Sequence, residues 1–146
     1  MKTTRLWLLW LIGVLFCFLI GGWVYREKVE GYPRAISWSG KEYAVEVADT
    51  PALRERGLGG RDNLCTACAM LFVFSAPGNY GFWMKDMRFP LDIVWLLQGQ
   101  VVHIERHIDP HSTKIFLPET VADTVVEVNA FEAESLKEGD RIEFLR

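Results

Sequence analysis

The sequence predicts a mostly β domain, folded as a compact β-sandwich or small barrel with one or two short helices, and preceded by one transmembrane helix. Residues 6–25 contain no charged side chain, and about 20 apolar residues are enough to span a bilayer. Residues 26–146 contain many short apolar or alternating segments between turn residues, which is typical of sandwiches and barrels. Their number suits one domain that can bury a core.

The predicted membrane anchor is Leu6–Tyr25, which follows a short tail of residues 1–5. Two tryptophans lie near its start, and Trp23 and Tyr25 lie at its end, as in the aromatic belts of membrane helices. A cleaved signal peptide is the alternative, but its apolar region is usually about 7 to 15 residues long. The expected partner of this segment is therefore the lipid bilayer.

Residues 26–40 mix charged residues with glycine, proline and serine and show no periodicity, which predicts a stalk between membrane and domain. The β-rich domain is expected over residues 41–146. From Lys41 onward, Tyr43, Val45 and Val47 alternate with polar residues, as in a half-buried strand.

A short helix is predicted next. Thr50 is a good N-cap, Pro51 suits the first helical position, and Gly57 can end the helix in a left-handed conformation. Leu53 is its expected buried anchor.

Further strands follow from apolar runs. Met70–Phe74 and Leu91–Leu97 are apolar at almost every position, which predicts strands covered on both faces. A Gly-containing hairpin at residues 98–100 leads into a third strand. The remaining predicted elements are strands at Val101–Ile108, Val121–Val128 and Arg141–Leu145, and a helical turn at Phe131–Leu136.

Composition and motifs exclude several classes of function. Residues 26–146 carry 14 basic and 19 acidic side chains, a formal charge of −5, which argues against a nucleic-acid partner. Phosphate loops and G-x-S-x-G motifs are absent from the sequence. His103, His107 and His111 recur every four residues, but β-branched neighbours predict a strand with His103 and His107 on its solvent side. We therefore predict no metal and no cofactor.

Several segments of the chain resemble the exported family catalogued as domain of unknown function 192, over roughly residues 43–145. The most specific of these segments are Phe82-Trp83-Met84-Lys85 and Pro90-Leu91-Asp92-Ile93. The resemblance implies a compact, mostly β domain that is often tethered to the cell envelope, and it implies no established activity. The chain departs from the family pattern at Asp86-Met87 and at Cys65 and Cys68.

Cys65 and Cys68 have the C-x-x-C spacing of thiol oxidoreductases and of half of many zinc sites. A disulfide is favoured over free thiols or a metal if the domain lies outside the cytoplasm. Basic residues are nearly balanced on the two sides of the anchor, so charge does not fix its orientation. The resemblance and the cysteine pair together predict a single-pass membrane protein whose C-terminal domain lies outside the cytoplasm.

Asp92 is the sequence's main indication of a site, because it lies within an apolar strand and a buried carboxylate needs partners. We expect Lys85, Arg88 or Arg61 to pair with it. One interpretation is purely structural, with Asp92 in an ion pair or holding loop amides. The other is a small ligand pocket whose candidate residues are Trp83, Lys85, Asp86, Arg88, Asp92, Arg61 and Glu127.

Two functions fit these observations. The first is a membrane-anchored extracytoplasmic domain that binds a small ligand or an envelope protein. The second is an enzyme of unknown substrate, which would use either thiol-disulfide chemistry at Cys65 and Cys68 or hydrolysis by Asp92 and Glu127. No complete catalytic constellation is recognisable in the sequence, which favours the binding function.

Overall fold

The computed structural model describes residues 31–146. The predicted tail, membrane anchor and first part of the stalk lie outside these residues. Within residues 31–146 no helix is long and apolar enough to cross a membrane.

The described domain is mostly β, as predicted, with nine strands and one short helix within residues 31–146. The strands are β1 Ala35–Trp38, β2 Lys41–Ala48, β3 Cys68–Gly78, β4 Phe82–Trp83, β5 Leu91–Leu97, β6 Gln100–Ile108, β7 Ile115–Phe116, β8 Ala122–Asn129 and β9 Glu143–Leu145. The helix, α1, spans Pro51–Arg56.

Seven of these strands form one sheet in the order β6-β5-β8-β3-β2-β1-β9, and β4 and β7 form a separate two-stranded ribbon. β2 and β3 run parallel, and their connection contains α1, whereas the other paired strands are antiparallel. The two edges of the sheet meet, because the amide of Val101 donates to the carbonyl of Asp140 at 2.8 Å. The sheet is therefore curled like part of a barrel rather than stacked as the sandwich that was the other prediction.

Each face of the curled sheet has its own apolar core. The inner core joins Ile36, Trp38 and Tyr43 to Val94 and Val126. On the outer face, the core joins side chains of the sheet to α1, the loops and the ribbon, and includes Leu58, Met70, Phe72, Phe82, Met84, Ile93 and Trp95. Burial on both faces explains why the central strands are apolar at nearly every position.

Local sequence signals fixed several elements. The Thr50 side chain accepts a hydrogen bond from the amide of Leu53, Pro51 begins α1, and the amide of Gly57 closes it onto the carbonyl of Leu53. Gln98 and Gly99 both have positive φ, at 52° and 78°, as a two-residue hairpin turn requires. The predicted helix and hairpin are confirmed.

Two predicted elements were wrong in detail. Residues 35–38, expected within the stalk, form β1 because Ile36 and Trp38 are buried. This strand is too short, and too closely flanked by turn residues, for its alternation to be recognised. Residues 131–136 form turns instead of a helical turn, because Phe131 takes a positive φ of 72°.

Candidate functional site

A cavity of about 230 Å³ opens on the outer face of the sheet. Its apolar wall is mostly aromatic. Phe72 and Phe74 come from β3, Phe82 and Trp83 form β4, and Tyr80 lies just before β4. Pockets for drug-sized ligands usually measure about 300 to 1,000 Å³. The space therefore suits a smaller molecule with a flat apolar part.

Glu127 of β8 lies at the floor of this cavity. It pairs with Met70 of β3 on one side and with Ile93 of β5 on the other. Directly paired residues share a face of the sheet, so the Glu127 side chain points into the outer core. The residue is 5% exposed, and its Oε2 atom has no hydrogen-bond partner among the described residues.

Burial without a partner changes the charge of Glu127. Loss of solvation raises the pKa of Glu127 from 4.5 to about 8, and the nearby Arg61 guanidinium offsets only part of this rise. Arg61 instead donates two hydrogen bonds to Glu46, at 2.6 and 2.8 Å, and so lowers the pKa of Glu46. At neutral pH the Glu127 carboxyl is thus mostly protonated, and it offers one O–H donor and acceptor oxygens.

Two glycines after α1 shape the cover above Glu127. A Cβ on Gly57 would lie 3.7 Å from Glu127 Oε2 and 3.4 Å from the Phe72 ring. At Gly59, a Cβ would come within 2.9 Å of the Arg56 carbonyl oxygen and 3.2 Å of the Lys85 carbonyl oxygen. Gly59 therefore allows the loop after α1 to approach the loop after β4 closely.

The segment Phe82-Trp83-Met84-Lys85 contributes three residues, Phe82, Trp83 and Lys85, to the lining of the cavity. Phe82 and Met84 are buried in the outer core, while Trp83 is 48% exposed and Lys85 is also exposed. Alternation along the segment therefore sends two side chains into the core and places Trp83 and Lys85 at the mouth. Two of these four residues therefore pack in the outer core, and the other two border the opening of the cavity.

Asp92 lies on the opposite face of the sheet from Glu127. It is fully buried, and its two oxygens accept hydrogen bonds from the backbone amides of His107 and Ala133, at 2.7 and 3.0 Å. The prediction that Lys85, Arg88 or Arg61 pairs with Asp92 is therefore wrong. Backbone donors satisfy this carboxylate, which does not line the cavity beside Trp83.

The other predicted site residues are divided between the cavity and its surroundings. Trp83, Lys85 and Glu127 line the cavity, whereas Asp86 and Arg88 line a shallow groove that adjoins it at Lys85. Arg88 forms an ion pair with Asp62, and Arg61 pairs with Glu46 without lining either space. The structure thus brings together three of the seven predicted residues.

The sulfur atoms of Cys65 and Cys68 lie at disulfide distance, 2.02 Å apart, as predicted. The pair lies at the entry to β3, in a loop that Asn129 holds by hydrogen bonds to the carbonyls of Leu64 and Cys65. Among residues 31–146, no group of three or more histidine, cysteine or acidic side chains is placed to hold a metal ion.

Sequence reasoning missed the contribution of α1 to the cavity. Arg54, Glu55 and Arg56 line it together with Gly57. Arg54 donates hydrogen bonds to the carbonyls of Asp49 and Val73, so it supports the wall. The sequence has no local signal for this contribution, because it depends on how α1 packs against the sheet.

Residues 34–144 match the model of domain of unknown function 192, a family described as "Uncharacterized ACR". The chain belongs to this family. No curated protein matches the chain.

Two solved structures share this fold. A Sinorhizobium meliloti protein, described as a candidate transcription regulator, is 32% identical with a TM-score of 0.70, and the match covers 76% of this chain and 90% of that one. A Novosphingobium aromaticivorans protein of unknown function is 26% identical, also with a TM-score of 0.70, over 77% of this chain and 84% of that one. Neither description assigns a ligand.

Proposed function

We propose that this protein is a binding domain, and that its ligand is a small molecule that enters the cavity and hydrogen-bonds to Glu127. The observation that carries this proposal is the buried Oε2 atom, which has no partner among the described residues at the floor of an open cavity. A ligand that supplies the missing partner satisfies this oxygen.

The energetic argument rests on how rare such groups are. More than about 90% of buried polar groups in proteins have a hydrogen-bond partner, and leaving one without a partner costs about 1 to 3 kcal/mol. Glu127 adds the cost of keeping an acid in its neutral form at neutral pH. An apolar residue at this position would avoid both costs and fill the outer core, so the glutamate is better explained by binding than by folding.

The positions of the two buried acids weaken the hydrolase alternative. Glycosidase-type hydrolysis needs two carboxyl groups on the same substrate. Asp92 accepts its hydrogen bonds on the inner face of the sheet, and Glu127 points into the outer core. The predicted pair of Asp92 and Glu127 therefore cannot act together. For thiol chemistry, Cys65 lacks the helix N-terminus that would activate it.

We also propose that the domain lies outside the cytoplasm and is anchored by Leu6–Tyr25. Support comes from the apolar run in the sequence and from the Cys65–Cys68 disulfide, because disulfides persist mainly in oxidising compartments. Protease added to intact spheroplasts should then digest the domain. Protection until the membrane is lysed would place the domain on the cytoplasmic side.

The binding proposal is tested with a thermal-shift screen of small metabolites on the full-length protein. Compounds that stabilise the wild type should lose their effect in Trp83→Ala and in Glu127→Ala. Phe131→Ala is the matched control, because Phe131 is an exposed aromatic residue, 68% exposed, that does not line the cavity. If no compound depends on Trp83 or Glu127, the cavity is not a binding site and the proposal fails.

A further inference from the structure

The charge at the mouth of the cavity is unbalanced. Arg56 and Lys85 line both the cavity and the adjoining groove, and neither side chain forms an ion pair or hydrogen bond with another of residues 31–146. In contrast, two arginines nearby, Arg61 and Arg88, are both paired with acids. Glu55 is the one acidic residue other than Glu127 that lines the cavity within the described domain. With Glu127 mostly neutral, the mouth carries a net positive charge.

The deep end of the cavity has a different chemistry. Glu127 is surrounded there by aromatic side chains and presents a protonated carboxyl group. A neutral hydroxyl, carbonyl or amide group of a ligand can accept a hydrogen bond from the protonated Glu127 carboxyl. Neither group has to become charged. A cationic amine at the deep end would require ionised Glu127, in a cavity that Arg56 and Lys85 also line, which is unfavourable in a site of low dielectric constant.

We propose that the cavity binds a small organic anion with a flat apolar body and an uncharged hydrogen-bonding group at its far end. A hydroxylated aromatic acid is the simplest member of this class. Its carboxylate lies between Lys85 and Arg56, its ring packs against Trp83 and Phe82, and its hydroxyl group reaches Glu127. This inference rests on the proposed function and specifies the ligand class of that same site.

The arrangement assigns a separate task to each end. The cations at the mouth select for charge, because they attract an anion and repel an amine. Glu127 selects for the uncharged hydrogen-bonding group of the ligand. A ligand without this group leaves the buried carboxyl of Glu127 without a partner. The cavity volume of about 230 Å³ limits the body to about one ring.

Three probes of nearly equal shape separate these tasks in isothermal titration. Para-hydroxyphenylacetate carries both the anion and the hydroxyl group, phenylacetate lacks the hydroxyl group, and tyramine replaces the anion with a cation. We expect para-hydroxyphenylacetate to bind most tightly, with phenylacetate weaker by about fivefold or more and tyramine weaker than both. Lys85→Met should weaken the first probe by about tenfold, and Lys137→Met, an exposed lysine that lines no part of the cavity, should leave it unchanged.

The pH dependence gives an independent readout. The charged side chains that face Glu127 or line its cavity are Arg61 with Glu46, Arg54, Glu55, Arg56 and Lys85. Binding of the hydroxy acid favours protonated Glu127, so affinity should be constant between about pH 6 and 7, where the carboxyl group of the probe is ionised, and fall as pH rises past about 8. Glu127→Gln keeps a neutral hydrogen-bonding group and should bind the probe without this fall.

The outcomes distinguish the two proposals. Tighter binding of tyramine that is lost in Trp83→Ala would overturn the anion class and leave the binding function standing. Equal binding of phenylacetate and its hydroxylated form would remove Glu127 from ligand selection and overturn the inference. If none of the probes binds but the metabolite screen yields Trp83-dependent ligands, the class is wrong and the function holds. Failure of both experiments overturns both.

Discussion

Two buried carboxyl groups lie on neighbouring strands of this domain, and their surroundings differ completely. Asp92 of β5 is fully buried and accepts two backbone hydrogen bonds. Glu127 of β8 is 5% exposed, and its Oε2 has no partner within the described residues. Ile93 pairs with Glu127 and is the neighbour of Asp92 in sequence, so the two acids point to opposite faces of one sheet.

The comparison shows that burial alone does not mark a functional acid. Asp92 has the larger burial but a complete set of partners, and it links β5 to two other parts of the chain. Glu127 is nearly as buried, but it faces an open cavity and lacks such donors. What distinguishes the two positions is hydrogen-bond satisfaction, which the sequence does not reveal.

The donors for Asp92 come from an irregularity in the sheet. The pairing of β5 with β6 shifts by one residue between Leu91 and Ile93, which is a β-bulge on β6. His107 lies in this bulge with a positive φ of 52°, and its amide donates to Asp92. The second donor, the Ala133 amide, follows the strained Phe131. Asp92 therefore stabilises two unusual backbone conformations.

The largest expected effect is that of Asp92→Ala. The change leaves two backbone amides without an acceptor in a buried site, and hydrogen bonds to charged groups are worth about 1.5 to 3 kcal/mol each. We expect the free energy of unfolding to fall by about 3 to 5 kcal/mol in urea denaturation. Asp92→Asn retains one acceptor oxygen and should cost less. A loss below about 1 kcal/mol for Asp92→Ala would show that Asp92 is not the structural acid of the pair.

Glu127→Gln should instead increase the free energy of unfolding at alkaline pH. Between about pH 4.5 and 8 the folded protein binds one more proton than the unfolded chain, so the wild type loses stability as pH rises across this window. The glutamine variant has no such slope and should be more stable than the wild type at about pH 8, by about 2 to 4 kcal/mol. Urea denaturation across this pH range measures the difference.

A further variant separates proton uptake from hydrogen bonding. Glu127→Met also removes the ionisable group and should abolish the slope, but it offers nothing polar to a ligand. If both variants retain the wild-type pH dependence, the slope arises elsewhere and Glu127 is not the buried acid responsible.

Removing the disulfide should change the free energy of unfolding less than replacing either acid. It closes a loop of only four residues next to β3, so it restricts the unfolded chain little and should contribute about 1 to 2 kcal/mol. Hydrogen bonds from Asn129 to this loop remain in Cys65→Ser. The variant should therefore fold, with a small decrease in the urea midpoint. An unfolded Cys65→Ser domain would show that this loop is essential to β3.

Sequence patterns predicted the elements better than the sites. Periodicity and turn residues were sufficient for β2, α1 and the hairpin before β6, because each depends on residues close together in the chain. The curled sheet depends on long-range contacts such as Val101 with Asp140, for which the sequence has no local signal. β1 was missed for a related reason, since it is stabilised by pairing with β2 and β9.

The candidate site was predictable only in part, for the same physical reason. An acid in an apolar strand is visible in the sequence at both Asp92 and Glu127. Which face each acid occupies depends on the register of β5 against β8. Which donors each acid finds depends on the bulge at His107 and on the turn at Ala133. These features emerge only in the folded chain, so the expected partner of Asp92 was wrong.

The smallest expected changes in the free energy of unfolding come from substitutions at the rim of the cavity. These substitutions test the comparison most directly, because any change in binding cannot be attributed to a change in stability. Lys85 and Asp86 are exposed, and asparagine tolerates the positive φ of 59° at position 86 as aspartate does, so Lys85→Met and Asp86→Asn should each change the free energy of unfolding by no more than about 0.5 kcal/mol. Lys85 lines the cavity and Asp86 only the adjoining groove. Lys85→Met should therefore weaken the binding of ligands that depend on Trp83, while Asp86→Asn retains it. Thermal unfolding with and without ligand measures both quantities in one experiment. Equal retention of binding by the two variants would confine recognition to Glu127 and the aromatic wall, and equal loss would extend the site into the groove.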